Sequence, residues 1–206
     1  MSLLNIKSFC GCNEARSTCF AKIISLFLCL CISSPSLAAK ISFLRTFGDV
    51  AQVANPLSAA GIASQDRGAG HFALIYSQEF ALLHASKLIG AANKWEAGKR
   101  PYKANKKNRH DGMPSGHTQS AWSAASYIRV FHENPYLSIP FYATSIITGY
   151  SRVQTKEHTI WQVVAGAALA ELVTYVNSQM EWNKNYAFTS VQIGRNGGSL
   201  SLEVRF

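Results

Sequence analysis

At 206 residues, with 48% hydrophobic and 15% charged residues, the chain is the size of one domain. A mean hydropathy of +0.02 and the lack of uninterrupted runs of about 20 apolar residues argue against a polytopic membrane protein and for a soluble one. Twenty Lys and Arg against 11 Asp and Glu give a net charge of +9. No nucleic-acid motif or row of stacking aromatics accompanies that charge, so the expected partner is a smaller anion and not nucleic acid.

In chain order, residues 1–38 read as an export signal. Lys7, Arg16 and Lys22 form a positive n-region, Ile23 to Ile32 an apolar h-region, and Ser36-Leu37-Ala38 a small-x-small cleavage site. Cleavage near Ala38 or Ala39 would leave 39–206 as one helical domain in the periplasm. All five cysteines lie before that point, so the exported part would have no thiol and no disulfide framework.

Residues 45–64 read as a helix broken or kinked at Pro56, with Val50, Val53, Leu57 and Ala60 as its apolar face. Asp66 to Gly70 is a turn. A longer helix is expected over 71–95, with Phe72, Leu74, Phe80, Leu83 and Leu88 on its apolar face and Lys94 near its end. Lys87, two turns earlier, lies on roughly the same face. Residues 102–113 form a loop. It belongs to a basic run in which Lys94, Lys99, Arg100, Lys103, Lys106, Lys107 and Arg109 are answered only by Glu96. The run reads either as a solvated loop or as a funnel for an anionic substrate.

Ser115 starts the next helix, which runs to about His132 and is padded with small residues. Two more follow, from Pro140 to about Arg152 and from Thr159 to Met180. Beyond Tyr186 the pattern turns to alternation, with 188–193 and 200–206 as a hairpin joined by a glycine-rich loop. The expected fold class is all-α, a bundle of about five or six helices with a small C-terminal β-hairpin.

Three short sequences read as parts of one phosphate site: Lys94 to Arg100-Pro101; Pro114-Ser115-Gly116-His117 at a helix start; and Ser151-Arg152 followed by His158 and Gln162. Two histidines, two arginines, a lysine and a Ser-Gly at a helix N-terminus suit phosphoryl transfer without a metal. Cations and backbone N–H groups hold the equatorial oxygens while one His attacks and the other protonates the leaving group. No His, Asp or Glu cluster has metal-ligand spacing, so neither a metal nor another cofactor is expected.

These blocks resemble the phosphatidic acid phosphatase type 2 and vanadium haloperoxidase superfamily. Pro-Ser-Gly-His and the Ser-Arg-to-His spacing match. The chain departs in having five residues, not six, between Lys94 and Arg100, and Gln162 in place of the family's Asp. The resemblance implies His158 as nucleophile, His117 as general acid, and Lys94, Arg100, Ser115, Gly116 and Arg152 as phosphate ligands. Lys87 is the substitute if the shortened first motif shifts the register. Gln162 can accept the hydrogen bond that orients His158 but brings no charge, so Gln162→Asp would be expected to preserve or raise turnover.

The resemblance thus implies a metal-independent phosphatase acting on a soluble phosphate ester or a lipid head group, with contact against a membrane surface compatible with either. The alternatives are a vanadate-dependent haloperoxidase and a non-catalytic protein docking through its C-terminal strand.

Overall fold

The computed structural model describes residues 37–101 and 108–180, together with the backbone of four short strands between Tyr186 and Val204. The helices beyond Lys40 belong to one compact unit. Most of the expected leader, 1–36, lies outside the described residues. Five α-helices are described: α1 (Leu37–Ala63), α2 (Ala69–Ala92), α3 (Gly116–Phe131), α4 (Ser138–Gln154) and α5 (Ile160–Gln179). The fold is all-α. The expected hairpin falls largely outside the described residues. Val191–Gly194 there pair antiparallel with Gly197–Leu200, and Tyr186–Ala187 with Glu203–Val204.

Helix α1 does not break at Pro56. A proline lacks the N–H that would bond the carbonyl four residues back, here Gln52. Ser120 of α3 supplies the missing donor, its hydroxyl reaching the Gln52 carbonyl at 2.6 Å. A cross-helix contact thus replaces the lost rung, and the helix continues through the proline.

α3 is the central helix. Ala121, Ser123, Ala124, Ala125 and Ser126 are all buried, and these short side chains let α4 and α5 approach closely. α5 opens with a capping box, in which Thr159 Oγ1 accepts from the Gln162 amide and Gln162 Oε1 accepts from the Thr159 amide. At the end of the bundle away from the α3 N-terminus, Phe72, Ile75, Tyr127, Ile128, Phe131 and Val173 pack as an apolar cluster.

The expected apolar faces of α1 and α2 are only partly turned inward. Val50, Val53 and Leu57 of α1 are 59%, 53% and 67% exposed, while Ala51, Asn55 and Ala59 face inward. In α2, Phe72 and Leu83 are buried but Phe80 and Leu88 are not. The interior they would have filled is polar. Glu79 of α2 is buried against Gln119 and Ser123 of α3 and Thr174 of α5. Among the described helices, α5 is long and apolar enough to cross a membrane by length and composition, although the apolar run from Ile160 to Val176 reads as short in the sequence.

Candidate active site

The site gathers at one end of the bundle, where α3 and α5 begin and α2 and α4 end. His158 precedes α5, and its Nδ1 lies 3.0 Å from Gln162 Oε1. The amide is oriented by its other end, since Gln162 Nε2 donates to the carbonyls of Ala97 and Lys99, each at 2.9 Å. Two carbonyls require the NH2, so the oxygen faces the imidazole. His158 therefore carries its proton on Nδ1 and leaves Nε2 bare. That nitrogen lies 3.5 Å from Arg100 NH1. Burial, followed by the charges of Arg100 and Lys87, pushes His158 down to about 3 and keeps the ring neutral.

His117, at the start of α3, has Nε2 3.1 Å from Asp49 Oδ1 of α1. The same Asp49 oxygen accepts from Arg152 NH1 at 2.8 Å. Arg152 is 1% exposed and also donates to Glu157 and to the Arg45 carbonyl. The Glu157 carbonyl lies 3.5 Å from Arg100 NH1, which returns the chain of contacts to His158. Gly48 permits this approach of α1, because a Cβ there would collide with Ser151 Oγ and the Arg152 guanidinium.

Ser115 is fully buried but does not cap α3 with its side chain. Its hydroxyl accepts from Thr118 Oγ1 and its backbone N–H donates to the Gln162 carbonyl at 2.8 Å. The first amides of α3, beginning at Gly116, are left without a side-chain cap, at a helix end whose dipole favours an anion. α5 comes close at this point through Gly166, where a Cβ would strike the Ser115 carbonyl.

The two lysines separate. α2 ends at Ala92, so Lys94 lies beyond it, exposed and with a positive φ of 50°. Lys94 lines a cavity of about 570 Å³ with Asn108, Arg109 and His110. Lys87 is half-buried within α2 and donates to the Asp111 carbonyl at 2.9 Å, and its charge acts on His158. Asp111 in turn accepts from Arg100 Nε at 2.9 Å and pairs with Arg109. Burial pulls the Asp111 carboxyl up, but the hydrogen bonds from Arg100 and Arg109 outweigh it and bring it down to about 2. Among the described residues no group of three or more His, Cys, Asp or Glu is arranged to hold a metal ion.

The structure thus joins Arg100, His158 and Gln162 directly, and His117 and Arg152 through Asp49. Ser115 and Gly116 sit between those two groups, at the start of α3. Sequence reading missed Asp49, Asp111 and Glu157. Asp49 lies 68 residues before His117, and no spacing rule connects positions on different helices at such a distance.

A family model described as the PAP2 superfamily matches residues 81–186, about half of the chain. A relative, the Lipid A 4'-phosphatase of Helicobacter pylori (strain J99), is 37% identical over 79 residues. That match covers 38% of this chain and 34% of the relative, so the chain corresponds to about a third of the relative's length. No solved structure gives a significant match. Asp49 and Arg45, on α1, lie before the matched region.

Proposed function

The chain belongs to the PAP2 superfamily, and from that premise we propose that it is a phosphatase working through a phosphohistidine. The observation that carries the reading is the tautomer of His158, with Nδ1–H donated to Gln162 Oε1 and a bare Nε2 beside the Arg100 guanidinium. A nucleophilic imidazole needs that arrangement, with its lone pair turned toward the cation that draws in the phosphate.

In the first step the Nε2 lone pair attacks phosphorus. A P–N bond forms, the P–O bond to the leaving group breaks, and His117 gives its proton to the departing oxygen. In the second step water attacks phosphorus with His117 now acting as base, the P–N bond breaks and inorganic phosphate leaves. Arg100 and Arg152 fork onto the equatorial oxygens, and the free amides at the start of α3 add donors as charge develops. Lys87 is better placed than Lys94 to contribute a third cation, because its charge already acts on His158. The anion takes up contacts now made by Asp111, Asp49 and Glu157 to the same arginines.

The relative's name makes a phosphorylated lipid the favoured substrate class. The expected export signal would place the reaction outside the cytoplasm. Phosphate release by the full chain, measured on an aryl phosphate and on a lipid phosphate with and without chelator, tests the reading. Activity lost to chelation and restored by zinc or magnesium would overturn the metal-independent mechanism.

A further inference from the structure

The basic run around Arg100 is tied down on both sides. Arg100 N–H donates to the Arg109 carbonyl at 2.9 Å and Gly112 N–H to the Gly98 carbonyl at 2.7 Å. Residues 98–100 and 109–112 therefore lie paired. His110 is anchored through Nδ1, which donates to the Trp95 carbonyl at 2.8 Å. Its own carbonyl packs so closely on Gly98 that a Cβ there would collide with it. Lys94 follows the α2 C-cap with φ 50°, and the Trp95 amide closes the turn onto the Gly90 carbonyl at 3.0 Å. Glycine is the usual residue at that position, yet here it carries a long cationic side chain.

These segments wall the cavity of about 570 Å³ lined by Lys94, Asn108, Arg109, His110 and Asp111. Its positive charge is only partly answered. Lys94 is exposed and pairs with no carboxylate among the described residues, while Glu96 pairs with Lys99 at 3.5 Å. Arg109 is about half exposed and meets Asp111 through NH2. The other Asp111 oxygen accepts from Arg100 Nε at 2.9 Å, so one carboxylate serves both arginines. The cavity also lies close to the reacting histidine. Burial, then the charge of Arg100 and more weakly that of Arg109, lowers Lys87 to about 8, and Lys87 acts on His158. Cations in excess on the wall of a cavity draw in an anion.

We propose that this cavity is a second anion subsite, where Arg109 and Lys94 hold a phosphate group other than the one attacked by His158. The planar fork of Arg109 suits two phosphate oxygens, and Lys94 supplies a point charge. Asp111 ties Arg109 to Arg100, which sets the two phosphate positions side by side. One substrate carrying both phosphates is therefore the favoured source, and this part rests on the phosphatase reading. Free inorganic phosphate is the other source of the same chemistry.

Two measurements decide it. The first is calorimetry on full-length His158→Ala, which consumes no ligand. The probes are alkanediol bisphosphates of increasing length and the matching alkyl monophosphates, at physiological ionic strength. A bisphosphate of fitting length should bind about tenfold tighter than its monophosphate, because its second contact is intramolecular. Adding Lys94→Ala or Arg109→Gln should remove most of that advantage, and Lys99→Ala, outside the cavity, should not. No advantage at any length would overturn the subsite, and so would an equal loss with Lys99→Ala.

The second measurement is turnover by the chain with His158 intact. The ratio of kcat/KM for the bisphosphate to that for the monophosphate should fall about tenfold in Lys94→Ala/Arg109→Gln. Inorganic phosphate should inhibit monophosphate turnover competitively. An unchanged ratio would overturn the substrate with two phosphates. A noncompetitive component lost with Lys94 would do the same and assign the cavity to free phosphate. If the unmodified chain hydrolyses neither probe, the phosphatase reading and the two-phosphate substrate fail, while calorimetry still decides the anion subsite.

Discussion

One amide side chain connects two of the three sequence motifs: Gln162 accepts from His158 Nδ1 at 3.0 Å and donates to the carbonyls of Ala97 and Lys99, just before Arg100. An Asp could accept from the histidine but could donate to neither carbonyl. Gln162→Leu is expected to orphan both carbonyls, costing about 1–3 kcal/mol each, and to lower turnover. Gln162→Asp, favoured by motif comparison alone, is expected to reduce both stability and turnover because a carboxylate would face two carbonyl oxygens. Thermal unfolding and phosphate release read both effects. A Gln162→Asp protein faster than the original would show that the two carbonyls do not matter.

The two histidines should fail differently. His158→Ala is expected to remove the phosphoenzyme trapped by acid quench and to abolish turnover. His117→Ala should lose about 10²–10⁴-fold on alkyl esters and much less on aryl phosphates, whose leaving oxygen needs little protonation. Equal losses on both substrates would remove His117 from the role of acid.

Asp49 accepts from both His117 and Arg152. Asp49→Asn keeps an acceptor but removes the charge that favours a protonated His117. The alkaline limb of the pH–rate profile for alkyl esters should move to lower pH, with KM changed less than kcat. A profile that does not move would reduce Asp49 to a packing role.

His158 should stay neutral well into acid. Its folded pKa is lowered to about 3 by burial and by Arg100 and Lys87, against about 6.5 when unfolded. The unfolded chain therefore binds the extra proton between those values. The contribution of His158 to stability is whole above about pH 6.5 and falls as pH drops toward 3. Nitrogen NMR of the ring at pH 5 should show the neutral Nδ1–H tautomer. A titration centred near 6.5 would contradict the buried, cation-flanked setting.

Of the two lysines, Lys87 should matter more. Lys87→Ala removes a cation within electrostatic reach of His158, whereas Lys94→Ala alters an exposed residue past the end of α2. KM for phosphate esters is expected to rise several-fold in the first variant and little in the second, on the order of 1 kcal/mol for a partly screened charge. The reverse order would make Lys94 the site lysine.

Much of this protein was determined locally. The start of α5 follows from Thr159 with Gln162, because a capping box acts over a few neighbouring positions, and the extent of α3 follows from its run of small residues at helical period. The order and spacing of Arg100, His117, Arg152 and His158 could likewise be read along the chain. Only the tertiary structure decided which way the helices face. Val50, Val53 and Leu57 form a true apolar stripe, but a stripe records only that one side differs from the other, not which side meets the neighbouring helices. Packing turned that stripe out and put Asn55 in. Asp49 was out of reach of the sequence for a related reason: its partners His117 and Arg152 sit on other helices, at separations where no periodicity operates. The continuity of α1 through Pro56 depended in the same way on Ser120, a donor that only the folded bundle brings within 2.6 Å.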